Sequence, residues 1–421
     1  MQHFEYRQNQ MYCEDVPLRE LAEEFGTPLY VYSKNQILDN YCQIRSAFGA
    51  AQHTICYAFK ANSNLSILKI LAEEGAGADV VSAGELYLAL KAGFSPEKIA
   101  FAGVGKREDE IEYALREQVY SINAESIQEM QLISLIAMRN QTKARISIRV
   151  NPNIDAQSHP YISTGLRQHK FGISAEDLLQ VYQFAVSLPS VEVIGVHTHI
   201  GSQIVKVEPY AETAAFIAET VRKLREVNIP LHHIDFGGGF GVQYVNAIAH
   251  EALPKEDMAL TYPAMHEFMQ AVLPVLEPLG CSIWMEPGRS IVANAGVLLT
   301  KILYTKENGA KKFVIVDAGM NDMLRPSLYN AHHQIVPLTI ETYEHERVDV
   351  VGPLCESGDF FARDRLLSKP KRNEFLSLMT TGAYGFVNTS NYNSRLRPAE
   401  ILVNGDRVRV IRERETFEDL L

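Results

Sequence analysis

The chain has 421 residues, 46% of them hydrophobic and 22% charged, which suits a folded protein too long for one ordinary domain. Its formal net charge of −11 excludes a general nucleic-acid or anionic-membrane binder, since both need a basic face. Five scattered cysteines without a C-x-x-C pair exclude a disulfide framework or zinc knuckle, and no apolar run reaches membrane-spanning length.

The start, MQHFEYRQNQ, is polar and has no apolar leader, so a cytoplasmic protein is expected. Residues 16–28 (VPLRELAEEFGTP) read as a short helix between proline and glycine stops. From Thr54 to about Glu286, β-rich runs alternate with helical patterns. The runs are TICYAF (54–59), ADVV (78–81), KIAFAG (98–103), VYSIN (119–123), RISIRV (145–150), VEVIGVHTHI (191–200), HHIDF (232–236) and SIWME (282–286). Between them, segments such as SILKILAEEG (66–75) and AGELYLALKAG (83–93) carry apolar residues at helical spacing and end in glycine. About eight βα units predict an α/β protein with a (β/α)₈ TIM-type barrel.

After Arg289 the rhythm changes. SIVANAGVLLTKILYT (290–305), KKFVIVDAG (311–319), RVDVVG (347–352) and EILVNGDRVRVIR (400–412) are strand-like, and NGD (404–406) predicts a hairpin turn. We expect a barrel over 27–285 and a second, mostly antiparallel β domain over 286–421, joined by the N-terminal segment 1–26.

The unusual residues fall at one kind of place, the carboxyl ends of the barrel strands. Lys60 follows the first strand, Asp79 lies in the second with Glu85 just beyond, and Arg149 is near the end of the fifth. His199, Gly201, Ser202 and Gln203 follow the sixth, GGGFG (237–241) the seventh, and EPGR (286–289) closes the eighth. That rim carries the active site in barrels of this kind. Alone, Lys60 is a solvated strand end, GGGFG a tight turn and EPGR a surface ion pair. Together they supply an amine nucleophile, glycine N–H groups open to a phosphate, a flat histidine and a carboxylate. Those needs converge on pyridoxal 5'-phosphate, with Lys60 forming the Schiff base and a carboxylate keeping the ring nitrogen protonated. His197 and His199 share a strand face and would suit a metal, but no third ligand has suitable spacing, so no metal is expected.

The stretches YAFKAN, HIGSQ, GGGFG, EPGR, MNDMLRPSLY (320–329), CESGD (355–359) and GAYG (382–385) occur in order along nearly the whole chain. Together they resemble the diaminopimelate decarboxylase family of barrel-type, alanine-racemase-like pyridoxal-phosphate enzymes. The resemblance implies that Lys60 carries the cofactor, His199 stacks on its ring and Glu286 pairs with its nitrogen. It places Ser202, Gly237, Gly238, Gly239, Gly288, Arg289 and Tyr384 around the cofactor. It makes Arg289, Arg325, Tyr329, Glu356 and Tyr384 substrate-binding positions. Cys355, as the acid that reprotonates the carbanion, and Glu356, on the distal ammonium, would come from the partner subunit of a homodimer. A lone cysteine is more often a small buried hydrophobe, and only the CESGD context argues otherwise.

The expected reaction converts meso-2,6-diaminopimelate to L-lysine and CO₂. Its nearest rivals keep the chemistry and change the amino-acid substrate to ornithine, arginine or carboxynorspermidine; Arg325, suited to a distal carboxylate, favours diaminopimelate. A non-catalytic pyridoxal-phosphate binder is the rival of another class, and this chain keeps both Lys60 and Cys355.

Overall fold

The computed structural model describes residues 3–156, 164–165, 169–256 and 262–421. They form two compact units, Tyr41–Gly241 with Thr261–Gly288, and Met1–Asn40 with Val242–Leu260 and Arg289–Leu421.

The first unit is a closed barrel of eight parallel strands. In chain order they are His53–Ala58, Gly77–Val80, Ile99–Phe101, Ser121–Ala124, Ala144–Asn151, Val191–His197, His233–Asp235 and Ser282–Met285. The last closes on the first, pairing Ile283 with His53 and Met285 with Ile55. Strand residues are buried almost throughout, as strands covered on both faces require. A short parallel strand, Ile173–Ser174, adds to the edge of the fifth.

Local chemistry places the helices. Asn64, Ser82 and Ser126 each cap a helix N-terminus by accepting a backbone N–H, from Ser66, Glu85 and Glu129. The helix Ala83–Ala92 stops at Gly93, whose φ of +94° lies in the left-handed region. The longest helix, Glu208–Glu226, buries Tyr210, Ala214, Ile217, Val221 and Leu224 at three- and four-residue spacing. Each such large aliphatic is worth about 1.5–3 kcal/mol of burial.

The second unit holds a mixed, mostly antiparallel sheet. Its strand order is Phe360–Ser368, His345–Val351, Lys311–Val316, Gly296–Asn308, Leu29–Ser33, Ala399–Asn404 and Arg407–Arg412, with Phe375–Leu378 and Ile335–Pro337 branching from it. The hairpin expected at 404–406 is there: Asn404 pairs with Arg407 across Gly405, whose φ is +64°. The expected short helix runs over Leu18–Phe25.

The structure places residues 27–40 differently from the sequence reading. Leu29–Ser33, fully buried, pairs antiparallel with Gly296–Leu299 and parallel with Ala399–Val403 inside the β unit. Leu29 and Val31 join Val297, Leu299, Ile401 and Val403 in one apolar cluster with Met11, Leu18 and Leu21. Residues 3–40 therefore complete the β unit's core, and the chain enters the barrel only after them.

Candidate active site

In the barrel unit the first strand ends in a tight 3-10 turn, Phe59–Ala61, which carries Lys60. Lys60 Nζ lies 2.6 Å from Oδ2 of Asp79, which is fully buried on the second strand. Burial and the neighbouring charge of Glu286 push the Asp79 carboxyl above its ordinary range, against the pull of Lys60. Glu85, just past that strand, accepts the Val81 N–H at 2.8 Å; burial pushes it up to about 7.

Glu286 follows the eighth strand and is buried. Its backbone N–H donates to Gly237 O at 2.9 Å, and Oε2 lies 3.3 Å from Nε2 of His197. Burial alone would raise this carboxyl, but His197 and Lys60 hold it well below the usual range. Glu286 Oε1 is buried and has no hydrogen-bond partner among the described residues. An acceptor in that state awaits a donor, and a protonated ring nitrogen supplies one.

His199 Nδ1 accepts the Gly238 N–H at 3.2 Å. Burial, with Lys60 and Arg149 nearby, holds its imidazole far below its ordinary pKa, so the ring is neutral. The glycine turn is interlocked with its neighbours. A Cβ on Gly237 (φ +68°) would lie 2.4 Å from Thr198 O, one on Gly238 2.1 Å from Glu286 O, and one on Gly239 (φ +101°) 2.2 Å from Gly201 O. Packing alone therefore demands glycine at all three, whatever else their N–H groups do. Gly288 is tight too, though less so: a Cβ there would lie 2.9 Å from the Cβ of Ala61, next to Lys60. Ser202 is half-buried in the turn after the sixth strand. Arg149 and Glu125 form a buried ion pair at 3.0 Å.

Asp235, on the seventh strand, escaped the sequence reading. Asn123 Nδ2 donates to its Oδ2 at 3.2 Å and the Gly237 N–H to its Oδ1 at 3.1 Å. The fourth and seventh strands are not neighbours, so this contact crosses the barrel interior. The available signal was a lone aspartate inside an apolar strand directly before GGGFG. His197, Asp235 and Glu286 offer atoms within 4.8 Å of one another, so His197 does have acidic company that the spacing argument missed. These groups are engaged with each other and with Asn123 and Gly237, and we assign them no ion.

The β unit holds a cluster of opposite sign. Arg289 Nη1 donates to the hydroxyl of Tyr244 at 2.5 Å, and its guanidinium lies 4.7 Å from the ring of Tyr384. Arg325 opens the short helix Arg325–Tyr329, is buried, and lies over the Tyr244 ring at 5.1 Å. Its Nε donates to His333 Nε2 at 3.4 Å, while His333 Nδ1 lies 2.9 Å from Met379 O. Burial would raise the Tyr244 phenol, but Arg289 and Arg325 bring it below its ordinary value. Tyr329 and Tyr384 sit within electrostatic reach of Arg289. Tyr244 and His333 were not singled out from the sequence.

Cys355 and Glu356 are exposed on a loop that the helix Arg325–Tyr329 holds through Ser327 Oγ, which donates to Gly358 O at 2.5 Å. The Cys355 N–H donates to Asn393 Oδ1 at 3.2 Å, and the Tyr392 hydroxyl donates to Glu356. Asp359 shapes the loop by accepting the Leu354 N–H at 2.7 Å and the Met320 N–H at 2.6 Å.

A closed parallel barrel with a lysine after its first strand and a buried carboxylate after its last defines a class, and the comparisons agree. A family model described as "Pyridoxal-dependent decarboxylase, pyridoxal binding domain" matches residues 34–293. A diaminopimelate decarboxylase of Aquifex aeolicus is 45% identical, over 99% of this chain and 96% of its own. A crystal structure of diaminopimelate decarboxylase from Helicobacter pylori, complexed with L-lysine, superposes with a TM-score of 0.89 at 44% identity, covering 96% of this chain and 98% of that one. One from M. jannaschii, in co-complex with L-lysine, gives 0.91 at 37% identity, covering 99% and 96%. This chain belongs to the diaminopimelate decarboxylase family of pyridoxal-dependent decarboxylases.

Proposed function

We propose that this protein decarboxylates meso-2,6-diaminopimelate to L-lysine and CO₂, with pyridoxal 5'-phosphate attached at Lys60. The observation that carries the reading is the buried, unpartnered acceptor Glu286 Oε1 in the same barrel unit as Lys60. Full-length relatedness to diaminopimelate decarboxylases supports the substrate. The residues fit the cofactor: Lys60 to hold it covalently, Glu286 to accept from its ring nitrogen, neutral His199 to lie against it, and Ser202 with the Gly237–Gly239 turn to meet its phosphate.

When bound, the cofactor supplies an electron sink for the pair released as CO₂ departs. The chain's own residues do the rest. Asp79 holds the Lys60 amine at 2.6 Å and fixes its direction. Glu286 keeps a proton on the ring nitrogen, while His199, uncharged, adds no competing cation. Arg289 and Arg325 offer two guanidiniums to the two carboxylates of the substrate, with Tyr329 and Tyr384 beside them. Cys355 delivers the proton to the carbon left by CO₂, and Glu356 takes the distal ammonium. Both sit on an exposed loop, as groups serving the partner subunit of a homodimer should.

The test is CO₂ release from meso-diaminopimelate, ornithine, arginine and lysine by protein reconstituted with pyridoxal phosphate. Release from meso-diaminopimelate alone is expected. Release from ornithine or arginine instead would remove the substrate assignment and keep the chemistry.

A further inference from the structure

Three carboxyl groups, those of Asp79, Asp235 and Glu286, are buried in the barrel unit at 0–4% exposure. Two of them have a basic partner. Asp79 has Lys60 at 2.6 Å, and Glu286 has the His197 imidazole at 3.3 Å. Asp235 has neither. Its neighbours are neutral donors, the Asn123 amide and the Gly237 N–H, together with the Glu286 carboxyl and the His197 imidazole, each with an atom within 4.8 Å. The other titratable groups that face it are Asp79 and the Cys56 thiol, and neither brings a positive charge.

Two adjacent buried carboxyls cannot both be ionised, because removing two like charges from water costs far more than the surrounding dipoles return. One proton must stay in the pair, and the surroundings decide where. His197 stabilises an anion on Glu286 from 3.3 Å, and lies farther from Asp235, with which it makes no ion pair. Burial and the charge of Glu286 together push the Asp235 carboxyl far above its ordinary range.

We propose that Asp235 is a positioning residue that retains the shared proton and donates it to Glu286, holding Glu286 as the anion offered to the cofactor's ring nitrogen. Asn123 and Gly237 fix the Asp235 carboxyl, one at each oxygen. Ser121 and Ser147 extend that network across the interior, 2.9 Å apart, with Ser121 Oγ 3.1 Å from Asn123 Oδ1. The donated hydrogen bond lowers the basicity of Glu286, so a proton shared with a ring nitrogen stays on nitrogen. This last step rests on the function proposed above; the protonation state of Asp235 does not.

The deciding experiment is infrared spectroscopy of the cofactor-free protein at pH 9, above the value of about 7 to which burial pushes Glu85 and Asp322, reading the C=O stretch of a protonated buried carboxyl. The band should be present, should shift when only aspartate carries a ¹³C carboxyl, and should vanish in Asp235→Asn while surviving in Asp79→Asn. A band that ignores aspartate labelling puts the proton on Glu286 and overturns the proposal, with no variant needed. The positioning role is read separately, as affinity for pyridoxal phosphate. Asp235→Asn keeps an N–H donor and should bind within about twofold of wild type, whereas Asp235→Ala should bind about tenfold more weakly. Equal affinities in the two variants would refute that role. Wild-type protein that shows the band but takes up no cofactor would instead count against the proposed function.

Discussion

The two units each bury a cluster of charge, and the clusters are built on opposite principles. The barrel gathers acids: Asp79, Asp235 and Glu286 against Lys60, with His197 and His233 in the same interior and His199, half-buried, just past the sixth strand. The β unit gathers cations: Arg289 and Arg325, both buried, against phenols and one neutral histidine. An acidic interior stabilises an amine and a protonated ring nitrogen; a guanidinium pair selects carboxylates. The decarboxylase chemistry proposed above needs both kinds of recognition. The chain builds each in its own unit rather than mixing charges that would neutralise one another.

The largest effect should come from breaking the barrel cluster at its amine. Lys60→Ala should lower turnover by on the order of 10⁴-fold or more, as removal of a covalent nucleophile does. Borohydride reduction followed by mass spectrometry should show the cofactor's mass added to wild type and absent from the variant. A variant that still gains that mass would move the attachment to another lysine. The arginine cluster should respond differently, in substrate binding rather than in attachment. Arg325→Lys keeps the charge but loses the planar two-point grip, and should raise KM about 10- to 100-fold. Cofactor absorbance should be unchanged. An unaltered KM would take Arg325 out of substrate recognition.

Much of the barrel cluster was legible in the sequence. Lys60, His199 and Glu286 fall where strand periodicity ends, and strand ends are visible as a change of pattern. What was hidden depends on partners far along the chain. Asp235 differs from a solvated strand aspartate only because Asn123, 112 positions away, meets it across the interior. Tyr244 follows GGGFG in sequence yet belongs to the other unit, where Arg289 claims its hydroxyl. EPGR is likewise split, with Glu286 in one unit and Arg289 in the other. The strand Leu29–Ser33 has the composition of a barrel strand, and only pairing with residues some 270 and 370 positions later assigns it to the β unit. Composition reports that a strand is buried on both faces; it does not report which sheet buries it.

The smallest effect, on stability alone, separates the two neutral histidines. His333 is hydrogen bonded at both nitrogens, to Met379 O and Arg325, whereas His233 has no hydrogen-bond partner among the described residues and meets the stacked rings of Tyr120 and Trp284 edge-on. Burial and the proximity of His197 lower His233 to about 3. The unfolded chain binds that proton near pH 6.5, so His233 contributes nothing to the pH dependence above that value. Below it, each pH unit should cost about 1.4 kcal/mol, down to a pH of about 3. His233→Phe keeps a ring against Tyr120 and Trp284 and removes the titration. Its urea midpoint should therefore fall less steeply than wild type between pH 6 and 4, whatever it loses at pH 8. His333→Phe should lower the urea midpoint already at pH 8, because Met379 O and Arg325 are left without their partner, at about 1–3 kcal/mol each. Parallel acid limbs in wild type and His233→Phe would mean that His233 is charged in the folded barrel, and the acid lability would then belong to the carboxylates around it.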